Sequence, residues 1–414
     1  MTMEPNRNPA PALRAIPSGI WALGFVSMFM DISSEMIHSL LPVFLISVLG
    51  ASATRVGILE GVSEAAALVT KMFSGALSDW LGKRKGLALA GYGMAALTKP
   101  LFPLAGSYAV VFTARLIDRI GKGVRGAPRD ALVADLVPED IRGASYGLRQ
   151  SLDTLGALIG PLAGALLIAA TGNFRLVFWI AVVPAFVSVA VLARFVDEPA
   201  PPPKPSHERL RIHWRELRDF PPAFWSVVVV GAVFTLARFS EAFLILRVSG
   251  LGVETAYVPL SMVVMNMAYA ASAYPAGWLS DRIDRRLVLA AGAGVLIVAD
   301  LVLARADGIA ALAAGVALWG LHMGLSQGLL AALVADAAPA ERRGTAFGLF
   351  NLASGLALLL ASVIAGGIWD RIGPRATFYV GACFAGIALL GLLWQMFAGP
   401  ARQQSGRVED EGKL

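Results

Sequence analysis

Apolar stretches of about 20 residues recur along almost the whole of this 414-residue chain, and they confine it to a fold that lives in lipid. A helix of that length rises about 30 Å, the thickness of a bilayer's hydrocarbon layer. The stretches are continuous and rich in Leu, Ala and Gly, without the period-2 alternation of an outer-membrane barrel, so helices are expected rather than strands. Only 15% of the residues are charged. Soluble domains carry roughly a quarter, and the deficit fits a lipid solvent. Twelve spans are expected, at roughly 18–48, 55–79, 86–105, 108–135, 144–170, 174–196, 223–248, 255–280, 287–305, 309–336, 345–370 and 375–398. The first is too long for a cleaved leader and carries Asp31 and Glu35, so it is read as a retained helix.

Charge is distributed by side of the membrane. Lys83, Arg84 and Lys85, then Lys204, Arg209, Arg211, Arg215 and Arg218, then Arg282, Arg285 and Arg286 all follow even-numbered spans. By the positive-inside rule these loops and both termini are cytoplasmic, in a multi-pass protein of a bacterial inner membrane. The net charge of +6 therefore reports topology and implies no nucleic-acid partner. Cys383 is the single cysteine, which excludes an intrachain disulfide; it is expected to pack as a small apolar residue.

The chain repeats itself. Ala131-Leu-Val-Ala-Asp135, Pro138 and Arg142-Gly-Ala-Ser-Tyr-Gly147-Leu148 return 201 residues later as Ala332-Leu-Val-Ala-Asp336, Pro339 and Arg343-Gly-Thr-Ala-Phe-Gly348-Leu349. Gly75-Ala-Leu-Ser-Asp79 matches Gly277-Trp-Leu-Ser-Asp281, and Ser34-Glu35 matches Ser240-Glu241. Matches in one order at nearly constant spacing indicate a duplicated unit. The expected organisation is a cytoplasmic N-terminus (1–17), a six-helix bundle (18–197), a cytoplasmic linker (198–222), a second six-helix bundle (223–398) and a cytoplasmic tail (399–414). The linker opens with Glu198-Pro-Ala-Pro-Pro-Pro-Lys-Pro205, which cannot form a helix interior. Residues 207–219 then mix Arg with Leu210, Trp214 and Leu217, as either a surface-lying helix or a solvated connector would.

These features resemble the major facilitator superfamily over essentially the whole chain. Its loop signature reads here as Gly75, Asp79, Gly82, Lys83 and Arg84, with Trp80 where the family has Arg; the second copy keeps Asp281 and Arg282. The resemblance implies twelve transmembrane helices in an all-α membrane fold, alternating access, and a gating role for these loops. Gly147-x8-Gly156-x3-Gly160-Pro161-x2-Gly164 is similar to the antiporter signature of the drug/proton branch, which favours export. Read physically, small residues at that interval let two helix backbones approach closely, and Pro161 bends the helix. Gly160 and Pro161 therefore join the expected gating set.

A charge at the bilayer centre costs about 2.5–3.5 kcal/mol on insertion scales, so the many ionisable residues of the first half are expected to face one another or water. Asp31, Glu35 and His38 share one face of the first span. They suit a proton site; the same residue types could hold a divalent metal, or His38 could cap the helix while Glu35 pairs with a base. Arg115, Asp118, Arg119, Lys122, Arg125 and Arg129 form a stripe on the fourth span, and the drug-exporter branch carries an Arg linked to proton transfer that matches Arg115. Asp31, Glu35, Arg115, Asp118 and Asp153 are the expected proton-coupling residues. Glu64, Lys71, Arg119, Arg149, Arg238, Glu241 and Asn266 are the expected substrate contacts, with an aromatic pocket drawn from Trp225, Phe234, Phe239, Phe243, Tyr257, Tyr269, Tyr274 and Trp319.

Three transport readings follow: proton-coupled efflux of a small organic molecule; carriage of an anionic metabolite or siderophore through Arg115 and Arg119; and divalent-metal export through Asp31, Glu35 and His38. No enzyme motif is present, whether a His-Glu-x-x-His metal pattern or a phosphate-cradling Gly-Lys-Ser/Thr loop. The expected partners are a small-molecule substrate, protons and membrane lipid; no cofactor beyond the proton gradient and a monomeric state are expected.

Overall fold

In the computed structural model, which describes residues 16–81, 83–198, 220–339 and 343–411, the described residues are all-helical and form twelve spans. The linker residues 199–219 and Gly82 lie outside the described residues, and with them the expected surface helix at 207–219.

Fifteen helical segments make up the twelve spans, because the first, third and seventh are interrupted. The first span is α1 (Ser18–His38) followed by α2 (Leu41–Ser47), and the second is α3 (Ala53–Leu81). The third is α4 (Arg84–Thr98) with the short α5 (Leu101–Leu104), broken at Lys99-Pro100, where proline cannot continue a hydrogen-bonded helix. Then come α6 (Tyr108–Asp135), α7 (Glu139–Thr171) and α8 (Phe174–Phe195). The second half holds α9 (Pro222–Ala237) and α10 (Ala242–Gly250), then α11 (Leu260–Ser280), α12 (Arg285–Arg305) and α13 (Ile309–Ala337), ending with α14 (Arg343–Arg371) and α15 (Pro374–Glu411).

Eight spans are individually long and apolar enough to cross a membrane. Helix α6 falls short because it carries the basic stripe, yet it runs unbroken through Pro128.

Contacts divide the chain into two compact units. One holds residues 1–49, 66–211 and 255–260; the other holds 50–65, 212–254 and 261–414. In the first, α1 packs on α7 and α8, and α4 packs on α6 and α8. Its core is built from Ile20, Leu23, Val26 and Met30 of α1 with Tyr92, Ala95, Leu132, Val133, Ala185 and Leu192. In the second, α12 packs on α13 and α15, and α9 packs on α14 and α15. Val230, Phe234, Leu289, Ala293, Leu330 and Leu392 form its core. Cys383 is exposed on α15 rather than packed.

Candidate functional site

The glycine pattern of α7 decides how the first unit presents its charges. A Cβ on Gly156 would lie 2.5 Å from the Met28 carbonyl and 3.1 Å from Asp31 Cβ. A Cβ on Gly160 would lie 2.8 Å from Glu35 Cβ and 2.9 Å from the Ile32 carbonyl. These glycines let α7 lie directly on α1, and they back the two turns that carry Asp31 and Glu35. Gly147 has open space around it and takes no part in the contact. Pro161 is buried within the continuous α7.

A second close packing sets α6. Gly91 and Gly121 oppose each other across α4 and α6: a Cβ on either would lie 2.7 Å from the other's carbonyl oxygen. Gly123 presses on α3, where its Cβ would meet the Ala67 carbonyl at 2.6 Å, and Gly75 faces Ala127 on the same seam. Helix α6 is thereby held with its stripe turned inward: Arg115, Asp118, Arg119 and Arg125 are all buried.

Polar side chains then link α1 to α6 in antiparallel register. Nearest the α1 C-terminus, an Arg115 Nη2 hydrogen bond joins His38 Nδ1 at 2.6 Å. One turn lower, Lys99 Nζ donates to Ser34 Oγ and to the Asp118 carboxylate, both at 3.0 Å. Next, Asp31 lies in the field of Lys122, Arg125, Glu35 and Asp153. At the α1 N-terminal end, Arg129 donates to Ser27 Oγ at 3.4 Å and to Asp130 at 3.1–3.2 Å. Asp153 on α7 lies 3.9 Å from both Arg129 and Arg149, so a single carboxylate is shared by two guanidinium groups. Arg125 also stacks over the Tyr92 ring, 4.6 Å from its centroid.

Asp31, Glu35, Arg115, Asp118 and Asp153 thus lie along one polar seam, in two parts. Arg115 and Asp118 belong to the tightly buried His38–Lys99 end. Asp31, Glu35 and Asp153 belong to the more open end, where Lys122 is exposed. Lys99 is the member that sequence reasoning missed. It is 1% exposed and is the direct partner of Asp118. Its signal was present as a lone Lys before a Pro inside an apolar span. Asp31, Glu35 and His38 form no metal-like cluster among the described residues, and the guanidinium on His38 Nδ1 is electrostatically unfavourable for a cation there.

Of the expected substrate contacts, Arg119 and Arg149 are buried on α6 and α7, and Lys71 is exposed on α3 beside Gly126. In the second unit, Arg238 sits at the break between α9 and α10 and interacts with Glu241, Tyr269 and Glu64. That break leaves backbone groups unpaired by helix geometry, and Ser362 Oγ accepts the Ser240 N–H at 3.2 Å to satisfy one of them. Asn266 lies half-buried on α11, the helix that carries Tyr269. The aromatic set separates. Phe234, Phe239, Phe243 and Trp319 are buried and pack with His322, Trp369 and Phe378, whereas Trp225, Tyr257 and Tyr274 are exposed.

Among the expected gating residues, Arg84 pairs with Asp135 at 2.8 Å and Asp281 lies 3.8 Å from Arg285. Arg282 stacks on Trp278, 3.6 Å from the ring centroid. The side chain of Asp79 lies outside the described residues.

The model of the Major Facilitator Superfamily matches residues 23–267 and 249–413 of the chain. The chain belongs to the Major Facilitator Superfamily. It is a multi-pass membrane transporter of that superfamily. It is 34% identical over 391 residues to an uncharacterised MFS-type transporter of Methanocaldococcus jannaschii, covering 92% of this chain and 96% of that one. A multidrug resistance protein, MdtH, of Edwardsiella ictaluri is 27% identical over 167 residues, 40% of this chain and 41% of that protein. In fold, the transporter is similar to a peptide transporter, POT, solved in complex with sulfate, with a TM-score of 0.76 over 95% of this chain and 98% of that one at 15% identity.

Proposed function

We propose that this superfamily member is a proton-coupled secondary transporter that exports a small organic molecule by alternating access across a bacterial inner membrane, with both termini cytoplasmic. The observation that carries the reading is the placement of Asp31 and Glu35. They lie one turn apart on α1, directly over Gly156 and Gly160 of α7, and Asp31 is in the field of both Asp153 and the bases Lys122 and Arg125. Two carboxylates so close, away from bulk water, oppose each other's ionisation, while a nearby base favours it. A small displacement of α6 or α7 along α1 changes that balance and so takes up or releases a proton. A proton moving with the membrane potential supplies about 2.3 kcal/mol per 100 mV, enough to sustain more than a tenfold gradient of a neutral compound. The glycine pattern of α7 and the partial likeness to a multidrug resistance protein support export as the direction.

The test uses inside-out membrane vesicles energised to an acid interior, with a fluorescent reporter of the pH gradient. Adding a transported compound should discharge part of the gradient, and Asp31→Asn with Glu35→Gln should abolish this while the protein remains inserted. Wild-type accumulation against a gradient by that double variant would refute the assignment.

A second reading has its own observation. Among the described charged side chains of the first unit that are more than nine-tenths buried, Lys99, Arg115, Arg119, Arg125 and Arg149 outnumber the one acid, Asp118. Such a surplus of buried cations favours an anionic substrate, such as a carboxylate metabolite or a siderophore. Competition by carboxylates that disappears in Arg119→Gln would select this reading.

A further inference from the structure

Asp300 is a buried ionisable group that the scheme above leaves unused. It sits on the C-terminal half of α12, among the most apolar spans of the chain, and it is 0% exposed. Neither carboxyl oxygen meets a hydrogen-bond donor among the described residues. Its ceiling is Gly381 of α15: a Cβ there would lie 2.6 Å from Oδ2 and 2.9 Å from the Phe239 ring. The carboxyl is therefore pressed against bare backbone and an aromatic edge.

Among the described residues, no ionisable group on the elements packed around it donates a hydrogen bond to its carboxylate. On α10, Arg247 spends its donors on the carbonyls of Leu303, Ala304 and Ala306, at 2.9–3.3 Å, one turn beyond Asp300. On α15, Arg375 pairs with Asp307 at 2.9 Å, and Tyr379 and Cys383 are exposed. At the α9–α10 break, Arg238 interacts with Glu241, Tyr269 and Glu64. On α13, His322 lies between Phe234 and Trp319, with ring centroids 6.3 and 5.3 Å away.

An ionised carboxylate with neither partner nor water is among the costliest groups a membrane interior can hold, and such a group takes up a cation instead. A hard metal ion would need several further oxygen ligands, and no metal-ligating cluster is present among the described residues. A proton needs none.

We propose that Asp300 is a proton-binding site of the second bundle, occupied in this conformation and able to ionise only when α15 draws back from α12 at Gly381. Glycine at that contact is what allows the carboxyl to be covered so closely, and separation of the two helices is what would admit water to it. The second bundle then carries a proton through the transport cycle by a residue independent of Asp31 and Glu35. The proposal does not rest on the reading of those two residues.

Infrared difference spectroscopy on the purified full-length protein tests it directly. At about pH 7, where an ordinary Asp is ionised, the spectrum of wild type minus Asp300→Asn should contain the C=O stretch of one protonated carboxylic acid. A difference made instead of the paired stretches of a carboxylate would overturn the proposal. Gly381→Ala keeps Asp300 but wedges its cover, and it covers the case in which Asp300→Asn does not fold. In that variant the acid band should exchange with deuterium faster than in wild type and vanish at a lower pH; an unchanged band in both respects would also overturn it. Neither measurement involves transport, so failure here leaves the vesicle test of Asp31 and Glu35 untouched, and the reverse holds.

Discussion

Arg84 meets Asp135 at 2.8 Å, and 201 residues further along both positions the same pair is repeated by Arg285 and Asp336. The aspartates close the duplicated Ala-Leu-Val-Ala-Asp segments, and each arginine opens the span after a basic loop. In each unit, therefore, the start of the third helix is tied to the end of the fourth. In the first unit the α4 N-terminus is further held by Glu198, which accepts from the Lys85 and Gly86 amides at 3.0 and 3.2 Å.

The two pairs should differ in strength. The first has side chains 16% and 28% exposed, the second 31% and 61%. Exposed pairs contribute about 0.2–1 kcal/mol, and shielding raises the value. Double-mutant cycles with Arg84→Ala/Asp135→Ala and Arg285→Ala/Asp336→Ala, read by unfolding in detergent, should give the larger coupling for the first pair. Equal couplings, or a larger one for the second, would contradict this.

Lys99 and Asp118 form a buried pair, so removing one partner strands the other. Lys99→Met alone should destabilise the protein by about 3–5 kcal/mol, and Lys99→Met with Asp118→Leu by clearly less. Thermal unfolding in detergent measures both. A double variant as unstable as the worse single one would mean that the charges are needed for packing and not merely for each other.

Helix α7 should tolerate side chains according to position. Gly156→Val and Gly160→Val each drive a branched group into α1 carbonyls and should sharply lower the yield of folded protein. Gly147→Ala, with open space around it, should be neutral or stabilising by a few tenths of a kcal/mol, since alanine is the better helix former. Chromatographic homogeneity of the purified variants separates the outcomes.

Arg247→Met removes the donors to three carbonyls at the end of α12 while keeping most of the side-chain volume. The expected loss is about 1–3 kcal/mol, the cost of leaving buried acceptors unmet. Amide exchange near residue 303 should speed up before that of α13 does.

Much of this was legible in the chain. Span lengths, the duplication and the charged face of α1 follow from periodicity, because a lipid solvent forces every apolar run into a helix and every buried charge inward. The pairing of those charges was not legible. Arg149 and Asp153 stand four residues apart on α7, but nothing in that spacing shows that Asp153 is also shared with Arg129 of α6. Lys99 reaches Asp118 from a broken span that composition alone does not mark. Asp300 was overlooked because an isolated acid in an apolar run carries no spacing signal. Ring content likewise does not say which face of a helix a ring occupies: Phe234, Phe239, Phe243 and Trp319 are buried, whereas Trp225, Tyr257 and Tyr274 are exposed.

Arg175 donates to the carbonyls of Pro103 and Ala105 at 2.9 and 3.0 Å, sealing the end of the third span from α8. At the corresponding turn of the repeat Arg375 binds Asp307 instead, and the matching carbonyls are sealed by Arg247 from α10. The ancestral copies have thus drifted into different solutions of one local problem, and the halves are no longer interchangeable parts. A tandem of two N-terminal halves would lack Arg247 and would inherit the Arg175 seal twice, whereas two C-terminal halves would carry Arg247 twice. Swapping halves would exchange one fastening for another.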